Sequence, residues 1–169
     1  MVFAYYSRLT RSQQRIYRRS DEITTIPLPQ ATPVHPLVEE LAEALKYEDR
    51  RRIEAVSQDL TSALTARLKV PHVQVEVLAA RPSKDWGELH GLYTPAEGRK
   101  AAHIALWMRT AKHRRVVAFR TFLRTLLHEL CHHLDYELFG LEESFHTEGF
   151  YKRESSLLHQ LMRNQLKTS

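Results

Sequence analysis

The sequence predicts an α+β fold, and three observations carry that expectation. Apolar residues recur at helical spacing through residues 36–68, three short β-type runs occupy 73–108, and two more helical patterns close the chain. The order α–β–β–β–α–α places a small three-stranded sheet between N-terminal helices and a C-terminal helical pair.

Taken in order, residues 1–20 read as a short helix on which Arg8, Arg11, Arg15 and Arg18 form one basic stripe. Pro27, Pro29, Pro33 and Pro36 then make residues 24–36 an extended connector. Pro36 suits the first turn of a helix, and Leu37, Val38, Leu41, Ala44 and Leu45 follow at helical spacing. A second stripe runs through Ile53, Val56, Leu60, Leu64 and Leu68. No Gly or Pro separates the two stripes, so they form one long helix or two helices broken around residues 47–50. Pro71 ends this region. Val73, Val75 and Val77 alternate with Gln74 and Glu76, the pattern of a half-buried strand. Residues 87–94 read as a second strand, 94–98 as a turn and 102–108 as a third strand. The longest helical pattern spans roughly 116–138 and stops at Gly140. Phe150, Leu157, Leu158, Leu161 and Leu166 mark a C-terminal helix. Two regions follow: a basic N-terminal arm with its Pro-rich connector, 1–35, and a folded domain, 36–169.

At 169 residues the chain is one domain's worth, able to bury a core. Its mean hydropathy of -0.44 and the lack of any apolar run near ~20 residues predict no membrane span. The one cysteine, Cys131, excludes an intramolecular disulfide and a cysteine-based zinc ribbon, and fits a reducing, cytoplasmic setting. The net charge is +5, and the basic residues cluster in the arm, at Arg50-Arg51-Arg52 and at Lys112-His113-Arg114-Arg115. Such clusters can hold phosphates, so a DNA contact through the arm is one expectation, although most charged runs are solvated faces. The acid-free, Arg-rich start also has the composition of an organellar transit peptide, but Gln13-Gln14 and Ile16-Tyr17 read better as a structured arm.

The chemistry concentrates in His128-Glu129-Leu130-Cys131-His132, an H-E-x-x-H pattern inside the long helix. Residues four apart share a helix face, so both imidazoles can reach one metal ion, while Glu129 lies beside that face as a proton acceptor. Phe119, Phe122, Leu123, Leu126, Leu127, Leu130 and Leu134 form the apolar arc, and His128, His132, Thr121 and Asp135 fall nearly opposite its centre. Asp135 is placed either to accept a ligand's second ring N–H or to face solvent. His133 reads as a surface or packing residue, and Cys131 as a small apolar group. A catalytic zinc takes three protein ligands and a water. Asp135 and Leu138 stand where the metzincin pattern needs Gly and His, which excludes that arrangement. The third ligand is then His146, with Glu148 and Glu154 as rivals.

These residues resemble the SprT-like family of zinc metallopeptidases, on Leu127 through His132, His146 and, four residues later, Phe150. The likeness extends over about residues 36–166, its specific part over 126–150; Thr147 departs from the glycine common there, and the C-terminal cysteine-bearing zinc element of many members is missing. The resemblance implies a minimal zincin-like domain holding one Zn²⁺ on His128, His132 and His146, with Glu129 as general base for a zinc-activated water. It further implies that the strand at 87–94 holds an extended protein or peptide substrate and that DNA-associated proteins are among the targets, while the missing cysteine-bearing element speaks against a second zinc. A rival reading is a non-proteolytic, metal-containing module that binds nucleic acid or regulates a partner. Tyr151 reads first as a packing residue and only second as an oxyanion donor.

Overall fold

The computed structural model describes residues 1–80, 91–110 and 114–163, the side chain of Thr32 excepted. Within them the chain folds as α1 (Arg11–Glu22), α2 (His35–Lys46), α3 (Arg50–Leu68), β1 (Val73–Ala80), β2 (Gly91–Thr94), β3 (Ala102–Arg109), α4 (Phe119–Glu137) and α5 (Glu148–Met162). Five helices and a three-stranded mixed sheet make this an α+β protein. Residues 87–90 of the expected second strand, Lys112 and His113 of the basic run, and Leu166 lie outside the described residues.

The break between α2 and α3 has a local cause. Glu48 takes a left-handed conformation (φ 56°), and the Asp49 side chain caps α3 by accepting the Arg52 amide. Two helices therefore form where periodicity alone allowed one. α4 starts at Phe119, later than the apolar pattern suggested, because residues 116 and 117 still pair with the end of β3: the Val117 amide donates to the Met108 carbonyl. At the other end Gly140 adopts φ 62° just past the helix, as its position predicted.

The sheet order is β1-β3-β2, with β1 parallel and β2 antiparallel to the central β3. β3 buries Ala102, Ile104, Ala105, Leu106, Trp107 and Met108, so both of its faces are covered. β1 alternates as expected, Val73, Val75 and Val77 inward and Gln74 and Glu76 outward. Its outer edge is closed in an unusual way, by side chains of α3 rather than by another strand. Gln58 bonds the Val73 carbonyl and the Val75 amide, Glu54 accepts the Val77 amide, and Arg50 donates to the Val77 carbonyl. These residues sit at i, i+4 and i+8, one stripe of α3, and they satisfy backbone groups that an open edge leaves for aggregation. Arg50, grouped with the basic cluster by sequence, is thus engaged with the sheet. β2 is the other edge, and no described strand pairs with its outer side.

Residues 1–35 are continuous with this core. Ile16, Tyr17 and Ser20 of α1 are buried, as are Ile26 and Leu28 in the Pro-rich stretch, while Arg8, Arg11, Arg15, Arg18 and Arg19 face solvent. The Leu28 amide donates to Gln160 of α5, and Gln160 donates back to the Ile26 carbonyl, which lays the connector along that helix. None of the described helices is long and apolar enough to cross a membrane.

Replacing Gln58 with Ala strands the Val73 carbonyl and Val75 amide at the sheet edge. Denaturant unfolding is expected to show a loss of about 1–2 kcal/mol, and an unchanged midpoint would contradict the edge-closing role.

Candidate metal centre

α4 brings His128 and His132 to one face, as the spacing predicted, and the loop leading into α5 brings His146 over them. Among the described residues these three form the one His/Cys/Asp/Glu group compact enough for a metal, with their donor atoms all within 4.8 Å of one another. The Nε2 atoms of His132 and His146 approach to 3.0 Å. Phe150, fully buried, lies beneath all three imidazoles, with ring centroids 5.0, 4.8 and 5.1 Å from those of His128, His132 and His146. That apolar floor keeps water from one side of the cluster.

The hydrogen bonds behind the rings decide which nitrogen faces inward. His128 Nδ1 lies 2.7 Å from Glu154 Oε1, and a carboxylate only accepts, so Nδ1 carries the proton and Nε2 keeps its lone pair. Glu154 is itself held by Arg124, 2.7 Å from its other oxygen. For His132 the logic runs through one more atom. Ser144 Oγ donates to Asp135 Oδ2 at 2.7 Å, so the same oxygen accepts from His132 Nδ1 at 2.7 Å. His132 Nε2 is therefore also left as an acceptor toward the cluster. Burial, and then the neighbouring His146 and His128, push the His132 pKa down to about 3, so this imidazole is neutral at ordinary pH. Neutral rings with inward lone pairs are what a metal ion binds.

One placement departs from the sequence reading. Asp135 neither meets an imidazole nor faces solvent: it is fully buried, ion-paired at 2.9 Å with the equally buried Arg153, and reaches His132 only through Ser144. The helix stripe was right, but α5 and the 138–147 loop cover it. His133 is buried and structural. Its Nε2 donates to the Pro71 carbonyl at 2.8 Å, and its Nδ1 accepts from the Tyr93 hydroxyl at 2.8 Å, tying α4 to both ends of the sheet region. Of the rival ligands, Glu154 spends its carboxylate on His128 and Arg124, and Glu148 bonds Lys152 at 3.1 Å on the outer face of α5. Cys131 packs in the core as expected, where burial raises its thiol pKa well above the usual range.

Glu129 is 3% exposed and lines, with His132, Ser144, Gly91, Leu92, Tyr93, Pro95 and Tyr136, a cavity of about 180 Å³. Gly91 lets β2 approach this closely: a Cβ there would lie 3.1 Å from Glu129 Cγ and 3.0 Å from Leu106 and Thr125. Tyr93 stacks at 6.3 Å on His132 and at 6.2 Å on Tyr136, forming the wall between the sheet edge and the histidines. Tyr151 sits on the opposite side, its ring 6.2 Å from His128 and 5.8 Å from His146. Ser144, Arg153 and Tyr93 carried no sequence signal of their own, since each meets the motif through a contact made by the tertiary fold, and Glu154, weighed as a rival ligand, instead bonds His128.

Because His132 stays neutral in the fold down to about pH 3 while an unfolded histidine takes a proton near pH 6.5, the native state binds fewer protons between those limits. Stability of the metal-free protein is accordingly present above pH 6.5 and lost as the pH falls toward 3. Chemical denaturation should show a loss on the order of 2 kcal/mol between pH 7 and pH 5, much of it removed in His132→Gln. A flat profile over that range would contradict the buried, neutral imidazole.

No protein-family model, curated protein or solved structure matches this chain, so its function has to be argued from the site itself.

Proposed function

We propose that this protein is a zinc-dependent metallopeptidase of the SprT-like kind, with His128, His132 and His146 as ligands and Glu129 as general base. The observation that carries the reading is the convergence of three imidazoles, two with their Nδ1 protons committed outward, beside a buried carboxylate on the same helix. An all-nitrogen set of three leaves a fourth position open, the composition of catalytic rather than structural zinc sites. Donors around a tetrahedral zinc stand roughly 3.3 Å apart, and the histidine nitrogens here lie between the 3.0 Å pair and the 4.8 Å limit. Zinc in this position supplies Lewis acidity, making a water acidic near neutral pH and polarising a carbonyl.

The protein's own groups do the rest. Glu129 faces the cavity it shares with His132; it takes a proton from the attacking water and returns it to the leaving amine. Its low exposure favours proton transfer over solvation. The edge of β2 that no described strand pairs, a few ångströms from Glu129 at Gly91, is suited to hold a peptide extended by backbone hydrogen bonds. The closed edge of β1 offers no equivalent. Tyr151, 41% exposed beside two of the histidines, is the side chain best placed to donate to a developing oxyanion. The five solvent-facing arginines of the N-terminal region support DNA-associated proteins as targets; cleavage of an unfolded protein with and without DNA tests that part of the reading.

Glu129→Gln should keep stoichiometric zinc and lose about 10²–10⁴-fold in peptide hydrolysis. Undiminished turnover removes Glu129 from the mechanism, and a wild-type protein that binds zinc but cleaves nothing favours the non-proteolytic module. His146→Ala should lower bound zinc as measured by elemental analysis, and an unchanged metal content would exclude it as third ligand.

A further inference from the structure

His128 and His132 come preorganised on one helix. His146 does not: it stands in the non-helical stretch between α4 and α5, and its position depends on what grips that stretch. The grip comes from the N-terminal region. The Tyr5 hydroxyl donates to the His146 carbonyl at 2.8 Å. Ser20 Oγ lies 3.1 Å from Thr147 Oγ1, the side chain that caps α5 by accepting the Phe150 amide. Asp21 accepts the Gly149 amide at 3.0 Å, and Gly149 is pressed so closely on α1 that a Cβ would come within 2.5 Å of the Asp21 carbonyl.

One buried side chain joins this contact to the second ligand. The Arg153 guanidinium, fully buried, donates to the carbonyls of Ser20 and Ile23 at the C-terminal end of α1, where the helix dipole favours a cation. Its other nitrogen donates to Ser20 Oγ at 3.0 Å and to Asp135 Oδ1 at 2.9 Å. From Asp135 the chain of bonds continues through Ser144 to His132 Nδ1.

We propose that α1 and the turn before it form a positioning clamp that sets the metal affinity of the triad, with Tyr5 and Ser20 holding the loop of His146 and Arg153 linking the clamp to His132. The inference rests on reading the triad as a metal site. Its physical basis is preorganisation: a ligand loop already ordered in the free protein loses less freedom when the ion binds, and an oriented imidazole binds it more tightly. Arg153 needs its planar fork for this, because a lysine can pair with Asp135 but cannot also span two carbonyls of α1.

The test uses the full chain. Zinc dissociation constants are measured by competition with a chromophoric chelator, Co²⁺ spectra are recorded, and thermal unfolding of the metal-free protein is followed. Tyr5→Phe, Ser20→Ala and Arg153→Lys should each weaken zinc binding by about tenfold or more and alter the Co²⁺ ligand-field bands. Gln58→Ala, which loosens the fold far from the clamp, should lower stability and leave affinity and spectrum as in the wild type. If Arg153→Lys does not fold, the two single-atom deletions decide the matter. Wild-type affinity in Tyr5→Phe and Ser20→Ala overturns the clamp while leaving the metal site standing. Failure of the wild type itself to take up zinc overturns the metal reading, and the clamp with it.

Discussion

A fully buried guanidinium has to be neutralised and hydrogen-bonded, and in this protein the partners of Arg153 define how the helices meet. Asp135 of α4 supplies the counter-charge, α1 supplies the carbonyls, and the rings of Phe139 and Phe150 lie 5.5 and 5.7 Å from the cation. Removing one member of such a buried pair typically costs about 3–5 kcal/mol, far more than a surface ion pair such as Arg19–Glu142, whose side chains are more than half exposed. The packing of α1, α4 and α5 around this one group is also what brings the 138–147 loop over the histidine-bearing face of α4. Stability and site geometry therefore share a cause.

The same economy of polar contacts runs through the rest of the site. Glu154 orients His128, Ser144 and Asp135 orient His132, and His133 locks the helix to Pro71 and Tyr93. In each case a polar side chain of α4 or α5 that points away from solvent finds its partners on other elements. The result is that the rings of His128 and His132 are held from outside the cluster, and that His132 presents an unprotonated Nε2 to it. Imidazoles oriented in this way give up little conformational freedom on binding an ion.

Much of this could be read from the chain. The α4 helix, its apolar arc and the placement of His128, His132 and Glu129 follow from a 3.6-residue period, and β1 follows from strict alternation at 73–77. What periodicity could not supply are contacts between distant polar residues. Tyr5 and His146 are 141 positions apart and Ser20 and Thr147 are 127 apart, so composition set the first 35 residues aside as an arm although they help build the site. The α3 stripe of Arg50, Glu54 and Gln58 likewise reads as a solvated face until the sheet edge it closes is known. Asp135 shows the limit most clearly: its helix face was legible, its environment was not, because α5 decides what covers that face.

The central claim is that three imidazoles and no carboxylate hold one ion with a position left open. X-ray absorption at the zinc edge of the purified, zinc-loaded protein tests it most directly. The account predicts one zinc per chain with three imidazole nitrogens at about 2.0 Å and one further light-atom ligand from solvent. A first shell with fewer than three imidazoles, or one closed by a fourth protein ligand, would contradict it.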